Sequence, residues 1–193
     1  GNTAAALDPG TPLVWPELGT NRAFLYEIGD RAATDAAFAK AARTASVSFV
    51  NNRLVVNYME PRAAIGEVDE TGRLVLTSGS QGVHSMQSVL AQQVFGVDKS
   101  RIRVITPDVG GGFGPKAFVY REYALVLEAA KRLGKPVKWT GDRGEHFLSD
   151  AQGRDNAVDA EMAMDGDGRF LALRVKFLAN LGAYCSQYGP VVP

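Results

Sequence analysis

With 193 residues, 21 Lys and Arg against 21 Asp and Glu, 46% hydrophobic and 22% charged residues, the chain has the make-up of an ordinary globular protein with no net charge. That balance removes any whole-molecule electrostatic argument for nucleic acid or an anionic membrane surface, and no stretch approaches the ~20 apolar residues of a membrane span. A single cysteine, Cys185, excludes an internal disulfide and offers no metal-ligand spacing, so the expectation is a cytoplasmic protein whose binding resides in a local site.

The first 29 residues carry Pro9, Pro12 and Pro16 and little periodicity, which predicts an extended connector lying on a surface. From Asp30, an alanine-rich run to Ala42 predicts a short helix with Asp30 as its cap. Ser46 to Tyr58, rich in valine and aromatic residues and broken by Asn51-Asn52, predicts two strands or one bent strand. Ala63 to Val68 and Arg73 to Thr77 flank a polar turn and predict a hairpin, followed by a helix over Gly82 to Phe95. Arg101 to Thr106 predicts a strand, Arg121 to Leu133 a helix stopped by Gly134 and Pro136, and Val137 to Thr140 a further strand. A second hairpin is expected at Ala157–Met164 and Phe170–Ala179, turning at Asp165-Gly166-Asp167-Gly168. Together these predict an α+β fold, a mixed sheet built from hairpins with helices packed on one face. Residues 1–45 are expected to be a linker with a short helix after a preceding domain, and 46–193 the first half of a domain. Neither end carries a start or stop signal, so the chain is expected to be part of something larger and to leave an apolar face where the rest would pack.

Asp108-Val109-Gly110-Gly111-Gly112-Phe113-Gly114-Pro115-Lys116 concentrates four glycines and one aromatic residue in a strand-to-helix turn. Such backbone can present free amides to an oxygen-rich ligand, and Phe113 has no room to hide inside so small a loop. Neither common phosphate motif fits, because Pro115 and Ala117 flank Lys116 where a P-loop needs glycine and a hydroxyl residue, and Pro115 also breaks the dinucleotide pattern. The bland alternative is a glycine turn used for packing alone. In Thr77-Ser78-Gly79-Ser80-Gln81-Gly82-Val83-His84, Gln81 offers a neutral amide donor, against the alternative of a solvated helix cap. Tyr58-Met59-Glu60-Pro61-Arg62 reads as a strand end with an ordinary surface pair, His84 and His146 as capping or surface residues, and Cys185 as a buried, inert thiol.

Asn57-Tyr58-Met59-Glu60-Pro61-Arg62, Ser80-Gln81-Gly82-Val83-His84 and Gly110-Gly111-Gly112-Phe113-Gly114-Pro115-Lys116, in that order, resemble the molybdenum-binding large subunit of the xanthine dehydrogenase, aldehyde oxidase and aerobic carbon monoxide dehydrogenase family. The resemblance covers most of the chain and leans to the bacterial carbon monoxide dehydrogenase-like members. It implies an oxidoreductase, a molybdenum hydroxylase acting on an aldehyde, carbon monoxide or an N-heterocycle with water-derived oxygen. The implied cofactor is molybdopterin with molybdenum, its cytosine dinucleotide form being one option, with FAD and 2Fe–2S clusters on partner subunits or domains. The implied partners are an iron-sulfur subunit, an FAD-binding subunit, the remainder of the large subunit and a small-molecule substrate.

By the same resemblance, Gln81 hydrogen-bonds the apical oxo ligand as a neighbour of the metal, not a direct ligand. Gly112, Phe113 and Gly114 contact the cofactor and line the substrate pocket, with Gly82 and Gly111 beside them. Where purine-oxidising members place a glutamate after the loop's lysine, this chain has Ala117, so purine is a poor fit. The family's general-base glutamate and active-site cysteine loop fall outside these residues, and the piece alone is expected to be inactive. The rivals are a non-catalytic anion- or partner-binding module of the same fold, and a nucleotide-binding domain.

Overall fold

The computed structural model describes residues 2–190. In chain order the elements are α1 (Arg31–Lys40), β1 (Arg43–Asn51), β2 (Ala63–Val68), β3 (Leu74–Ser78), α2 (Val83–Ser88), β4 (Ile102–Ile105), α3 (Arg121–Leu133), β5 (Val137–Thr140), α4 (Arg143–Ser149), β6 (Asn156–Met164) and β7 (Phe170–Ala179). They form two compact units, Val55–Gln152, and Gly1–Leu54 joined to Gly153–Pro193. Among the described residues, no helix is long and apolar enough to cross a membrane.

In the Val55–Gln152 unit the predicted hairpin forms as β2 and β3, antiparallel with Ala64 opposite Ser78 and Val68 opposite Leu74. Asp69 ties the turn, its Oδ1 accepting from the amides of Thr71 and Arg73 (both 3.0 Å). The sheet order is β4-β3-β2-β5, with β3 and β4 parallel and the other pairs antiparallel. The parallel pair needs a crossover, which α2 supplies. The predicted helix 82–95 is α-helical only over α2; it continues as a π-helix over Val89–Phe95, ended by a left-handed Gly96 (φ 62°). A spacing of apolar residues does not separate a 3.6-residue turn from the wider one.

Leu76 and Ile102 from the sheet, Met86 and Leu90 from the crossover, and Tyr123 and Leu127 from α3 fill one apolar cluster. The sheet is thus mixed, with its helices sharing a single core, as the sequence predicts. At Gly66 a methyl group would lie 2.5 Å from the Val126 carbonyl oxygen, so α3 packs directly on the β2 backbone. The polar stretch around His146, where the residue pattern predicts no element, is α4, capped by Asp142 accepting from the Glu145 amide (2.7 Å).

The other unit is an antiparallel sheet of order β1-β6-β7. The register of β1 runs from Arg43 opposite Met164 to Asn51 opposite Asn156. The extended run predicted over 46–58 therefore divides. Its first part is strand, whereas beyond Asn51 the chain makes only one isolated bridge, Leu54 to Gly153. The turn between β6 and β7 is held by Asp165 Oδ1, which accepts from the amides of Asp167 and Arg169 (both 2.9 Å). Helix α1 is capped as expected, Asp30 accepting from Ala33 N at 2.9 Å. It packs on β7 through Arg174, which bonds Asp35 (2.6 Å) and stacks on Phe38 (4.2 Å to the ring centroid). In the irregular first residues, Trp15 donates to Ala183 O at 2.7 Å and packs edge-on against Tyr184.

One face of this sheet leaves Val47, Phe49, Leu173, Val175 and Phe177 exposed, a contiguous apolar surface. Cys185 is exposed, contrary to the expectation of a buried thiol; its neighbours Tyr184 and Ser186 are exposed too, so no apolar packing encloses it.

Candidate functional site

The glycine loop lies between the end of β4 and a 3-10 turn over Pro115–Ala117, and α3 begins only at Arg121. The turn between strand and helix is as expected, with the 3-10 turn inserted between the loop and α3. Phe113 adopts φ 50°, a left-handed conformation uncommon for a bulky residue, and is 74% exposed. Its ring folds back over Gly111, where a methyl group would sit 2.7 Å from Phe113 Cε2. Backbone strain of this kind, costing on the order of 1–3 kcal/mol, persists where surrounding contacts impose it.

Those contacts come from the Ser80-Gln81-Gly82 segment, in which Gly82 caps α2. Gln81 Oε1 accepts from the Gly114 amide at 2.9 Å, and the Gln81 amide donates to Lys116 O at 3.1 Å. Gly112 lies directly against the Gln81 side chain, since a methyl group there would be 2.6 Å from Oε1. Two segments about thirty residues apart in sequence, 80–82 and 110–116, thus form one surface. Of the residues singled out in the sequence, Gln81 contacts both Gly112 and Gly114, Gly111 and Phe113 adjoin them in the loop, and Gly82 follows Gln81 at the helix start.

Hydrogen-bond direction decides what this surface can bind. A backbone amide demands an oxygen acceptor, so the bond from Gly114 fixes the Gln81 carbonyl inward and leaves its NH2 group as an outward donor. The amides of Gly111, Gly112 and Phe113 likewise donate to no protein group among the described residues. The result is a cluster of neutral N–H donors beside an exposed aromatic ring. It suits a ligand presenting several oxygen acceptors and an apolar portion.

Beneath the loop lies an ion pair between residues that the sequence left as surface groups or unassigned. Lys116 is 1% exposed, and its Nζ lies 2.6 Å from Glu60 Oε2, which also accepts from Gly110 N at 2.9 Å. The hydrogen bond from Lys116, seconded by that from Gly110, holds the Glu60 carboxyl below its usual range. The ammonium also lies 4.8 Å from the Tyr58 ring centroid.

Arg62, expected to be exposed, is buried with Asp150, Glu122, His146 and Tyr58. Arg62 Nε donates to Asp150 Oδ1 (2.8 Å) and its Nη1 to Glu122 Oε2 (3.2 Å), while the guanidinium stacks 3.6 Å from the Tyr120 ring centroid. Tyr58 donates to Asp150 Oδ2. His146, also expected at the surface, is buried, with Nδ1 2.7 Å from Asp150 Oδ2 and Nε2 2.6 Å from Val56 O. His84 is exposed, as expected. Burial works against the charged form of Asp150, but hydrogen bonds from Arg62, Tyr58 and His146 outweigh it and depress its pKa. Sequence reasoning missed this network because its partners lie as far as 92 residues apart. The available signal was Asp142-x-x-Glu145, a helix-start pattern that would have placed His146 and Asp150 one turn apart on one face.

Residues 14–193 match the family model described as the molybdopterin cofactor-binding domain. The chain is 37% identical over 165 residues to the carbon monoxide dehydrogenase large chain of Hydrogenophaga pseudoflava, covering 85% of this chain and 20% of that one. It is 36% identical over 151 residues to the nicotine 6-hydroxylase large subunit of Paenarthrobacter nicotinovorans, covering 78% and 18%. The structure of reconstituted CO dehydrogenase from Oligotropha carboxidovorans superposes with a TM-score of 0.80 at 32% identity, over 92% of this chain and 24% of that one. The chain therefore spans about a fifth of the length of these two curated relatives.

Proposed function

Because the chain belongs to the molybdopterin cofactor-binding domain family, we propose that it forms one wall of the cofactor cleft in the large subunit of a molybdenum hydroxylase. The observation that carries this reading is the fixed direction of the Gln81 amide beside the unpaired loop amides. Molybdopterin is an anionic, oxygen-rich group, and this wall offers it neutral N–H donors, the Lys116 ammonium being taken up by Glu60. The residues present fit the group. Gln81 Nε2 and the amides of Gly111, Gly112 and Phe113 would hold it, with Gly114 and Gly82 leaving room.

When bound, the group supplies the two-electron redox chemistry that transfers a water-derived oxygen to the substrate, with electrons leaving to iron-sulfur and FAD-binding partners. The chain's own part is binding and alignment. Gln81 donates a hydrogen bond without adding charge, and the exposed Phe113 ring gives the substrate a flat apolar surface that displaces water. Ala117 supplies no carboxylate to hold a purine, which favours a small aldehyde, carbon monoxide or a simpler N-heterocycle.

Two substitutions in the full-length subunit, assembled with its partners, test this. Gln81→Ala should lower kcat by about 100-fold, the typical effect of removing one aligned donor, with molybdenum content unchanged. Parental activity at normal molybdenum content would remove Gln81 from the mechanism. Phe113→Ala should raise KM by about tenfold while cofactor content stays at the parental level, the scale of one lost apolar contact. Loss of cofactor with KM unchanged would make Phe113 a packing residue instead.

A further inference from the structure

The Glu60–Lys116 pair lies where a surface ion pair has no reason to be. Lys116 is among the most completely buried side chains of the unit, while its partner's side chain is half exposed. Burying an ammonium costs several kcal/mol unless it is paired, and apolar residues of similar size commonly serve stability as well. A buried pair is thus weak evidence for stability and calls for another reason.

Its connections supply one. Glu60 Oε2 binds Lys116 Nζ and, with the same atom, the amide of Gly110 at the entrance of the loop. Lys116 at the loop's exit offers its carbonyl to the Gln81 amide. Both ends of the loop and the backbone of Gln81 are therefore referred to one carboxylate. The strand-to-loop turn at Gly79 passes close over the pair, where a methyl group would lie 3.5 Å from Glu60 Oε2 and 3.6 Å from Lys116 Nζ. Gly110 presses on Glu60 from the other side, a methyl group there falling 2.7 Å from Glu60 Cβ. Among the described residues, no hydrogen bond joins the side chains of the pair to the Gln81 NH2 group or to the amides of Gly111, Gly112 and Phe113.

We infer that Glu60 and Lys116 are positioning residues, an ionic clamp that closes the ends of the glycine loop and sets the Gln81 amide and the Phe113 ring facing one ligand. This rests on the reading of Gln81 and the loop as facing the cofactor. The clamp explains how Phe113 is kept at a left-handed backbone conformation: fixing residues 110 and 116 leaves the five between them little freedom.

Replacing both partners with apolar residues, Glu60→Leu together with Lys116→Met, avoids leaving a buried charge unpaired. In the present chain this double variant should keep its thermal midpoint, while the hydrogen-bonded backbone amides of Gly114 and Gln81 exchange with deuterium about tenfold faster. In the assembled full-length subunit, kcat should fall about tenfold and KM should rise, with molybdenum content near the parental value. Unchanged exchange at Gly114 and Gln81, or exchange raised equally throughout the Val55–Gln152 unit with a fall in midpoint, would overturn the clamp. Local loosening with parental kcat would overturn its role in positioning. Local loosening in the double variant combined with an undiminished Gln81→Ala enzyme would instead overturn the cofactor reading and leave the clamp standing.

Discussion

Arg62→Ala should destabilise the Val55–Gln152 unit by about 3–5 kcal/mol, the cost of stranding one member of a buried ionic group. The side chain of Arg62 is 2% exposed and that of Asp150 1%, so water cannot replace the lost guanidinium. Its removal would leave Asp150 with Tyr58, His146 and a long bond from the Ser149 hydroxyl, and would deprive Glu122 of its buried contact. It would also open a void between Tyr120 and Trp139, whose rings lie 3.6 and 5.1 Å from the guanidinium carbon. Urea titration of both chains measures the effect; a loss below about 1 kcal/mol, the scale of exposed ion pairs, would show that the network is not a closed one.

The same carboxylate fixes the sign of the pH dependence. Asp150 is held below the usual carboxylate pKa in the folded state, because the hydrogen bonds from Arg62, Tyr58 and His146 outweigh its burial. Its contribution is therefore complete above the unfolded value of about 4 and lost as pH falls through the lower folded value. Midpoints measured from neutral to acid pH should decline in that window. Arg62→Ala should begin its decline at higher pH, since the most strongly lowering partner has gone.

Gly66→Ala should cost about 3 kcal/mol or more, at the upper end of overpacking effects. The added carbon would meet the Val126 carbonyl at 2.5 Å and the Leu127 amide nitrogen at 2.7 Å. These are backbone atoms in the middle of α3, so no rotamer change relieves the contact; the helix must lift from the sheet, loosening Leu76, Tyr123 and Leu127 together. Gly166→Ala is the control, since a methyl group there meets nothing within 4 Å, and it should fall within about 0.5 kcal/mol of the parent. Equal midpoints for the two variants would show that α3 does not bear on β2 as described.

The parts of this fold legible in the sequence are those encoded by neighbours. Helix α3 spans the residues its apolar spacing predicts, because Tyr123, Val126, Leu127 and Ala130 recur on one face and Gly134 closes it in a left-handed conformation. The hairpins follow because Asp69 and Asp165 write their turns locally. The glycine loop and Gln81 were legible as a likeness to a family's motifs, and the structure places them in contact. What was not legible depends on distance. Glu60 meets Lys116 across 56 positions and Arg62 meets Asp150 across 88, and nothing in a polar residue's neighbourhood says whether it will be enclosed. The same reason misplaced Cys185: an apolar-looking segment is buried only if something comes to cover it.

The anchored carbonyl of Gln81 makes this side chain polar in one sense only. A free carboxamide greets donors and acceptors alike by turning over; this one cannot turn without orphaning Gly114. Visitors to that spot are thereby sorted by the hand they extend: an oxygen lone pair is welcomed, while an ammonium or a hydroxyl hydrogen finds only another hydrogen facing it.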